Sequence, residues 1–488
     1  MGISKGIDIY GYVSNPPYAT TAETRGNDDL TFSQNDYTLI GKMRHGHREI
    51  DSGNIDWDEH TGRVTLQAKV DGSKVLSRYV EIAPSTGSLG NTDMGNMLDT
   101  NSVIAPGRYA LSYGFYDAGR NQSHQAYLYL TEDYSHWMGN LATTKPAVLA
   151  ASFGKFVLPG AHDAGMFTGL GSAGEARDLI HRLIAHYGDR EKAAAAIVAT
   201  LGLGLASLTT LGPVLIAALT AALVLLETTD TPLRALVNLG YTQKEPISTQ
   251  LTLGTRYFDF RPGYNASFYR KDNLLRHQHA FIPGCRFDDF LRRVVEFLGS
   301  HPQEIVVVNI KYDGFLEDGM KPADSEITRY LGAALAGKGI ALGDKTDLQT
   351  SYQNLLDSHK RLIVLEGNSD CRDSYSDRGY ATDNPDSIID CLNQALNQPE
   401  KTWTVLQLQG TYTATEEGIA KAVATFSDAA SPLLSTKARF DHATYPWAAD
   451  RRHVADRCGD RLLVLLNDFV DNALTSHCLA ITKQRHGE

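Results

Sequence analysis

From about residue 145 onward the chain repeats one pattern: a short, unbroken apolar run followed by a stretch with helical spacing. The runs are "FVLP" (156–159), "RYFDF" (256–260), "EIVVVNI" (304–310), "RLIVLEG" (361–367), "WTVLQLQG" (403–410) and "RLLVLLNDF" (461–469). Successive strand side chains point to opposite faces, so a run that is apolar throughout is covered on both sides. Between two runs, "FDDFLRRVVEFLGSHPQE" (287–304) places Phe290, Val294, Phe297 and Leu298 on one helical face. Buried strands alternating with amphipathic helices give a parallel sheet wrapped in helices. Six or more such units favour a closed β/α barrel over an open sheet.

The first 140 residues read differently. "RVTLQAKV" (63–70) alternates apolar and polar positions, Asp71-Gly72 offers a hairpin turn, and "SKVLSRYVEI" follows. "GRYALSYGFY" (107–116) and "QAYLYLTEDY" (125–134) keep the β-branched and aromatic bias. The organisation expected is therefore a small antiparallel β-sandwich over 1–142 and a β/α barrel over 143–488.

With 488 residues, 42% apolar and 21% charged, the chain has a globular composition and room for two cores. Its net charge of −11 argues against a nucleic-acid partner. Five widely spaced cysteines form no zinc spacing, and an odd count argues against a disulfide framework. The N-terminus shows no signal-peptide pattern. Residues 193–226 carry no charge and are split by Gly212-Pro213. They lie in an insertion near 171–238, within a connection that opens onto the catalytic face of a barrel.

The polar residues that end the apolar runs converge on one kind of chemistry. The first run delivers His162 and Asp163. The second delivers Asp259 and Arg261 at alternate positions, followed by His277 and His279. "VVVNIKYD" presents Asn309, Lys311 and Asp313, and the last run ends in Asp468. Two histidines can pass protons at neutral pH, and an Arg and a Lys can stabilise phosphate oxygens. That set suits phosphoryl transfer.

Four segments in register make the match specific: "LPGAHDAGMF", "TQKEPISTQLTLGTRYFDFRPGY" (242–264), "HAFIPGCRFDDFLRRVVEFLGSHPQEIVVVNIK" (279–311) and "RLLVLLNDFV" (461–470). Over about 150–475 the chain resembles the X-domain family of phosphatidylinositol-specific phospholipases C, the bacterial single-barrel enzymes in particular. The resemblance implies a TIM-type β/α barrel, regular or distorted. It also implies cleavage of phosphatidylinositol to diacylglycerol and inositol 1,2-cyclic phosphate. By the same resemblance His162 is the general base and His279 the general acid. Asp468 holds His162, Asp163 holds His279, and Arg261 binds the phosphate with Lys311 beside it. His277 falls on the other side of an extended chain. Ala280 stands where the family usually has glycine. The strand end "VLEGNSD" lacks the usual cation, leaving Glu366 and Asn368 to meet the headgroup.

Calcium-dependent relatives carry carboxylates where Arg261 and Lys311 stand, so the resemblance implies catalysis without a metal or other cofactor. Calcium held by Asp259, Asn309 and Asp313 is the alternative. Tyr412 is a candidate for substrate binding by stacking on the sugar, or for packing. The implied partner is phosphatidylinositol in membranes or micelles, met by a secreted protein or one acting at a membrane surface. The 193–226 segment either dips into the lipid interface or is buried against the barrel, the sandwich or a second subunit. Two other functions fit less well. One is a barrel phosphodiesterase of glycerophosphodiesterase or sphingomyelinase D type. The other is a membrane-inserting lipid-binding protein. His45 and His47, and the Asp-rich "NSDCRDSYSD" (368–377), read as solvated loops.

Overall fold

The computed structural model describes residues 6–14, 18–24, 29–32, 41–48, 62–83, 86–94, 100–119, 122–168, 173–200, 240–411 and 433–487. Among the described residues ten strands form the N-terminal part: β1 (Ile7–Val13), β2 (Ala19–Thr24), β3 (Asp29–Phe32), β4 (Arg44–Arg48), β5 (Gly62–Val70), β6 (Ser73–Ile82), β7 (Leu89–Thr92), β8 (Val103–Ala105), β9 (Tyr109–Tyr116) and β10 (His124–Thr131). They make two five-stranded sheets, ordered β4-β1-β10-β9-β8 and β3-β2-β5-β6-β7. Ile7 and Ile9 of the first sheet share a core with Val64 and Leu66 of the second, so the sheets pack face to face. The β5–β6 turn uses positive φ at Asp71 (51°) and Gly72 (75°), which matches the twist of a tight hairpin.

Two details differ from the sequence reading. β1 pairs with β10 in parallel, while the other pairs of both sheets are antiparallel. A parallel pair needs a long crossover, and the intervening chain supplies it by building the second sheet. His45 and His47 lie on edge strand β4 rather than in a solvated loop. Both imidazoles sit 3.0 Å from Oδ1 of Asp8 on the neighbouring strand.

The remaining strands are β11 (Val157–Ala161), β12 (Tyr257–Phe260), β13 (Pro262–Gly263), β14 (Arg276–His279), β15 (Ile282–Arg286), β16 (Val306–Ile310), β17 (Ala341–Gly343), β18 (Lys360–Glu366), β19 (Cys371–Asp373), β20 (Trp403–Gln407) and β21 (Leu462–Asn467). Eight form one parallel sheet, ordered β17-β18-β16-β12-β11-β21-β20-β19. All six apolar runs are strands of it. The first strand lies beside the last, and chain order runs outward from β11 on one side and backward from β21 on the other. This is the strand order of a barrel opened between β18 and β19, with β17 added along β18 at the opening.

The sheet curls so that its two edges share one interior. Leu365 of β18 and Cys371 of β19 belong to the same core as Leu158, Tyr257, Val307, Val405 and Val464. The alternate positions Phe258, Val308, Val364, Leu406 and Leu463 face outward onto the helices. Helix Phe287–Ser300 meets them with Phe290, Leu291, Val294, Phe297 and Leu298, and its first turn carries Asp288 and Asp289, favourable at a helix N-terminus. Each fully buried Leu or Phe side chain contributes about 1.5–3 kcal/mol.

Arg256 and Glu304 pair at 2.8 Å with almost no exposure, near the start of β12 and β16. Arg256 also donates to the carbonyls of Leu251, Thr255 and Ser135, and Glu304 accepts from the backbone of Gly139. The pair thereby fastens helix Trp137–Thr144 to the sheet.

After β11 the chain forms helices Ala173–Tyr187 and Arg190–Thr200. Leu179, Ile180 and Leu183 pack against Ala280, Phe281 and Ile282 of the β14–β15 hairpin. The 193–226 run leaves the described residues after Thr200, and Tyr412 lies outside them. Among the described residues no helix is long and apolar enough to cross a membrane. All five cysteines are free and buried.

Candidate active site

Alternation along the sheet fixes which residues reach the mouth. The inward series on β11 is Leu158 and Gly160, and the next inward position is His162. On β12, Tyr257 and Asp259 lead to Arg261. On β16, Val307 and Asn309 lead to Lys311 and Asp313. On β21, Val464 and Leu466 lead to Asp468. The interior below is full: a Cβ on Gly160 would come within 2.7 Å of Val464. The polar layer therefore begins where the apolar layers end, and it lines a cleft of about 390 Å³.

His162 and Asp163 are adjacent in sequence yet both serve this cleft. Asp163 adopts φ +42°, in the left-handed region, so the chain turns sharply after β11 and Asp163 folds in behind His162. Its side chain is wholly buried. Strain of this kind persists only where the surroundings enforce it. Here Thr242 Oγ1 donates to the Asp163 and His162 carbonyls (3.1 and 3.2 Å). Gln243, fully buried, donates to the His162 and Asn467 carbonyls (2.8 and 3.1 Å) and accepts from Val470 N–H (3.0 Å).

One carboxylate organises the site. Asp163 Oδ1 lies 2.8 Å from Arg261 Nε and 3.2 Å from His277 Nε2. Its Oδ2 lies 3.5 Å from His162 Nε2 and 3.7 Å from His279 Nε2. On the far side of His162, Nδ1 meets Asp468 Oδ1 at 2.8 Å, and Arg261 Nη2 approaches Nε2 at 3.4 Å. His277 accepts the Arg261 backbone N–H on Nδ1 at 3.3 Å, which leaves its Nε2 as the donor to Asp163. His277 is fully buried and packs edge-on against Phe260, whereas His279 lines the cleft. Asp259 is buried beneath, 3.6 Å from Arg261 and 3.5 Å from Lys311.

These neighbours set the protonation states. Burial alone would lower the His162 pKa, but Asp163 and Asp468 outweigh it and hold the value above the usual histidine range. His279 is pushed down to about 4 by burial, with Arg261 adding to the shift against the pull of Asp163. Burial likewise lowers His277. Asp163 stays well below the usual carboxylate range because Arg261 and the histidines overcome the effect of burial. Lys311 is raised despite burial by Asp259 and Asp373.

The ligand atoms of His162, Asp163 and Asp259 lie within 4.8 Å of one another, a spacing that could hold a cation. Arg261 and Lys311 already stand against the two carboxylates with two positive charges. Asp313 reaches the rim instead, where its carboxylate accepts from Asn368 and its carbonyl faces Arg261 Nη1.

The "NSDCRDSYSD" stretch is not a solvated loop. Cys371–Asp373 forms β19, and inward alternation carries Asp373 and Tyr375 to the wall of the cleft that His162 and His279 also line. Asp373 accepts from Gln407 (2.8 Å), and Tyr375, 39% exposed, lies against Tyr380 with ring centroids 4.9 Å apart. The signal was present as Asp373 and Tyr375 at alternate positions, but three residues are too short a strand to stand out against six polar neighbours. Asn368 lines this wall, while Glu366 does not. Ala280 lines the cleft at φ +59°, a conformation that glycine adopts without penalty.

No protein-family model matches the chain, and no curated protein matches it in sequence. Among solved structures it is similar to a phosphatidylinositol-specific phospholipase C of Staphylococcus aureus, with a TM-score of 0.37 and 15% identity over 72% of this chain and 97% of that one. It is also similar to the phosphatidylinositol-specific phospholipase C of Listeria monocytogenes, with a TM-score of 0.35 and 13% identity over 72% of this chain and 98% of that one.

Proposed function

We propose that this chain cleaves phosphatidylinositol by intramolecular phosphoryl transfer, releasing diacylglycerol and forming inositol 1,2-cyclic phosphate. The observation that carries this reading is the pair of imidazoles, His162 and His279, whose Nε2 atoms share Asp163 Oδ2 beside the Arg261 guanidinium. A binding protein has no need of a base and an acid in one cleft.

In the first half of the step, His162 Nε2 takes the proton of the inositol 2-hydroxyl. Asp468 on Nδ1 fixes the tautomer and supports the imidazolium that forms. The freed oxygen forms a bond to phosphorus as the bond from phosphorus to the glycerol oxygen breaks. His279 Nε2 delivers its proton to that departing oxygen. Arg261 and Lys311 carry the charge of the phosphoryl oxygens. Asp373, Gln407 and Asn368 offer acceptors and donors to the remaining hydroxyls, and Tyr375 offers a ring face to the cyclohexane ring. The two cations replace an ion, so the reaction proceeds without metal. The lipid is met at a membrane or micelle surface by a secreted protein or one acting at that surface.

The spacing of His162, Asp163 and Asp259 favours one second reading, a calcium-assisted phosphodiesterase. Phosphorus NMR of phosphatidylinositol micelles decides between them. A cyclic phosphate signal in EDTA, absent with His162→Ala and with His279→Ala, is the expected result. Activity that returns only with calcium selects the second reading. No cyclic product in either condition overturns the proposed reaction.

A further inference from the structure

Asn467 breaks the pattern of its own strand. On β21 the outward positions Leu463 and Leu465 are apolar and pack into the layer between sheet and helices. Asn467 follows in the same outward series and is 1% exposed. Packing would favour an aliphatic residue there, and a buried amide without partners costs about 1–3 kcal/mol.

Its hydrogen bonds show what holds it. Asn467 Nδ2 donates to Asp441 Oδ1 and to Tyr445 Oη, both at 2.8 Å. Asp441 is fully buried, and its other oxygen receives Lys437 Nζ and the Tyr129 hydroxyl, the latter at 3.2 Å. A carboxylate only accepts, so the amide nitrogen must face Asp441 and Oδ1 must face the other way. There it accepts the Asp468 backbone N–H at 3.0 Å. The Asn467 carbonyl accepts the His162 N–H at 3.1 Å. Asn467 thus touches both members of the His162–Asp468 pair, Asp468 through its side chain and His162 through its backbone carbonyl. The chain of contacts ends on Tyr129, in β10 of the N-terminal sandwich.

We propose that Asn467, held in one orientation by Asp441, is the positioning residue that sets the Asp468 carboxylate on His162, and that the sandwich takes part through Tyr129. This rests on the reading of His162 as the general base. It gives the N-terminal sheets a part in the active site, reached through the buried side of the barrel rather than its mouth.

The test uses the full chain with Asn467→Leu, Asp441→Asn and Tyr129→Phe. The first readout is the far-downfield Nδ1 proton resonance of His162, assigned by its loss in His162→Ala. The second is kcat and KM on phosphatidylinositol micelles. Asn467→Leu and Asp441→Asn are expected to shift or abolish the resonance. They should lower kcat at least about tenfold, as loss of an orienting partner does elsewhere, with KM nearly constant. Tyr129→Phe, which removes a single hydroxyl, should move both readouts the same way by a smaller factor. If Asn467→Leu does not fold, the other two variants decide. A folded Asn467→Leu or Asp441→Asn that keeps the resonance and kcat overturns the proposal. If the wild-type chain cleaves no phosphatidylinositol, the proposed reaction fails, while the resonance still decides whether Asn467 positions the pair.

Discussion

Arg261 Nε lies 2.8 Å from Asp163 Oδ1, with the guanidinium largely shielded from water and the carboxylate wholly so. The group proposed to bind phosphate is thus already paired within the cleft, and an incoming anion must share it with Asp163. That sharing ties activity to stability at one position.

Arg261→Leu leaves Asp163 as a buried carboxylate with His162, His277 and His279 as its neighbours and no guanidinium. Removal of one such electrostatic contact typically costs 10²–10³ in rate. Asp163 also loses the main cause of its lowered pKa. A lowered pKa contributes stability that is present above the unfolded value and is lost as pH falls toward the folded one. The variant should therefore lose that contribution, and its acid unfolding midpoint should move to higher pH. Circular dichroism across an acid titration reads the shift, and an unchanged midpoint contradicts the pairing.

The pH dependence of kcat/KM follows from the two histidines. The reactive form needs His162 neutral and His279 charged, although His162 holds its proton more tightly. The profile should fall on the acid side only near about 4, where His279 titrates, and on the alkaline side above the usual histidine range, where the last shared proton leaves. Asp468→Asn removes a carboxylate that raises His162, so its alkaline limb should move to lower pH. An acid limb near neutrality in the wild-type chain would contradict the lowered His279 pKa.

Glu304→Ala leaves Arg256 charged, buried and without its acidic partner. Breaking a buried pair this way costs about 3–5 kcal/mol. The urea midpoint should drop accordingly, with little effect on the cleft chemistry of the protein that remains folded. A midpoint within experimental error of wild type would show that the carbonyls of Leu251, Thr255 and Ser135 alone satisfy Arg256.

Ala280 occupies φ +59° beside His279. The left-handed conformation costs an alanine about 1–2 kcal/mol, which glycine does not incur. Ala280→Gly should raise the thermal midpoint slightly despite the loss of a buried methyl group. A lower midpoint would mean that the methyl contact with the Phe281 and Ile282 cluster outweighs the backbone strain.

Period-two and period-3.6 patterns are local, so the six strands of the apolar runs, the helix over 287–300 and the hairpin at Asp71-Gly72 were legible in the chain. The same alternation put Asp259 with Arg261, and Asn309 with Lys311 and Asp313, on one face, because parity survives any curvature of the sheet, while His162 and Asp468 stood out only as the polar ends of their apolar runs. Sequence could not reveal the three-residue strand β19, whose register comes only from pairing with β20, and so it missed Asp373 and Tyr375. Nor could it reveal that Asp163 turns under His162 through a positive φ to meet Arg261 and His277. The role of Asn467 was hidden as well, since its meaning comes from Asp441, 26 residues earlier, and Tyr129, in another sheet. What the sequence by itself determined is which side chains face inward, a property of each strand alone. What only the tertiary structure decided is which buried charges meet, because a carboxylate in a low-dielectric interior takes its state from partners that folding brings together.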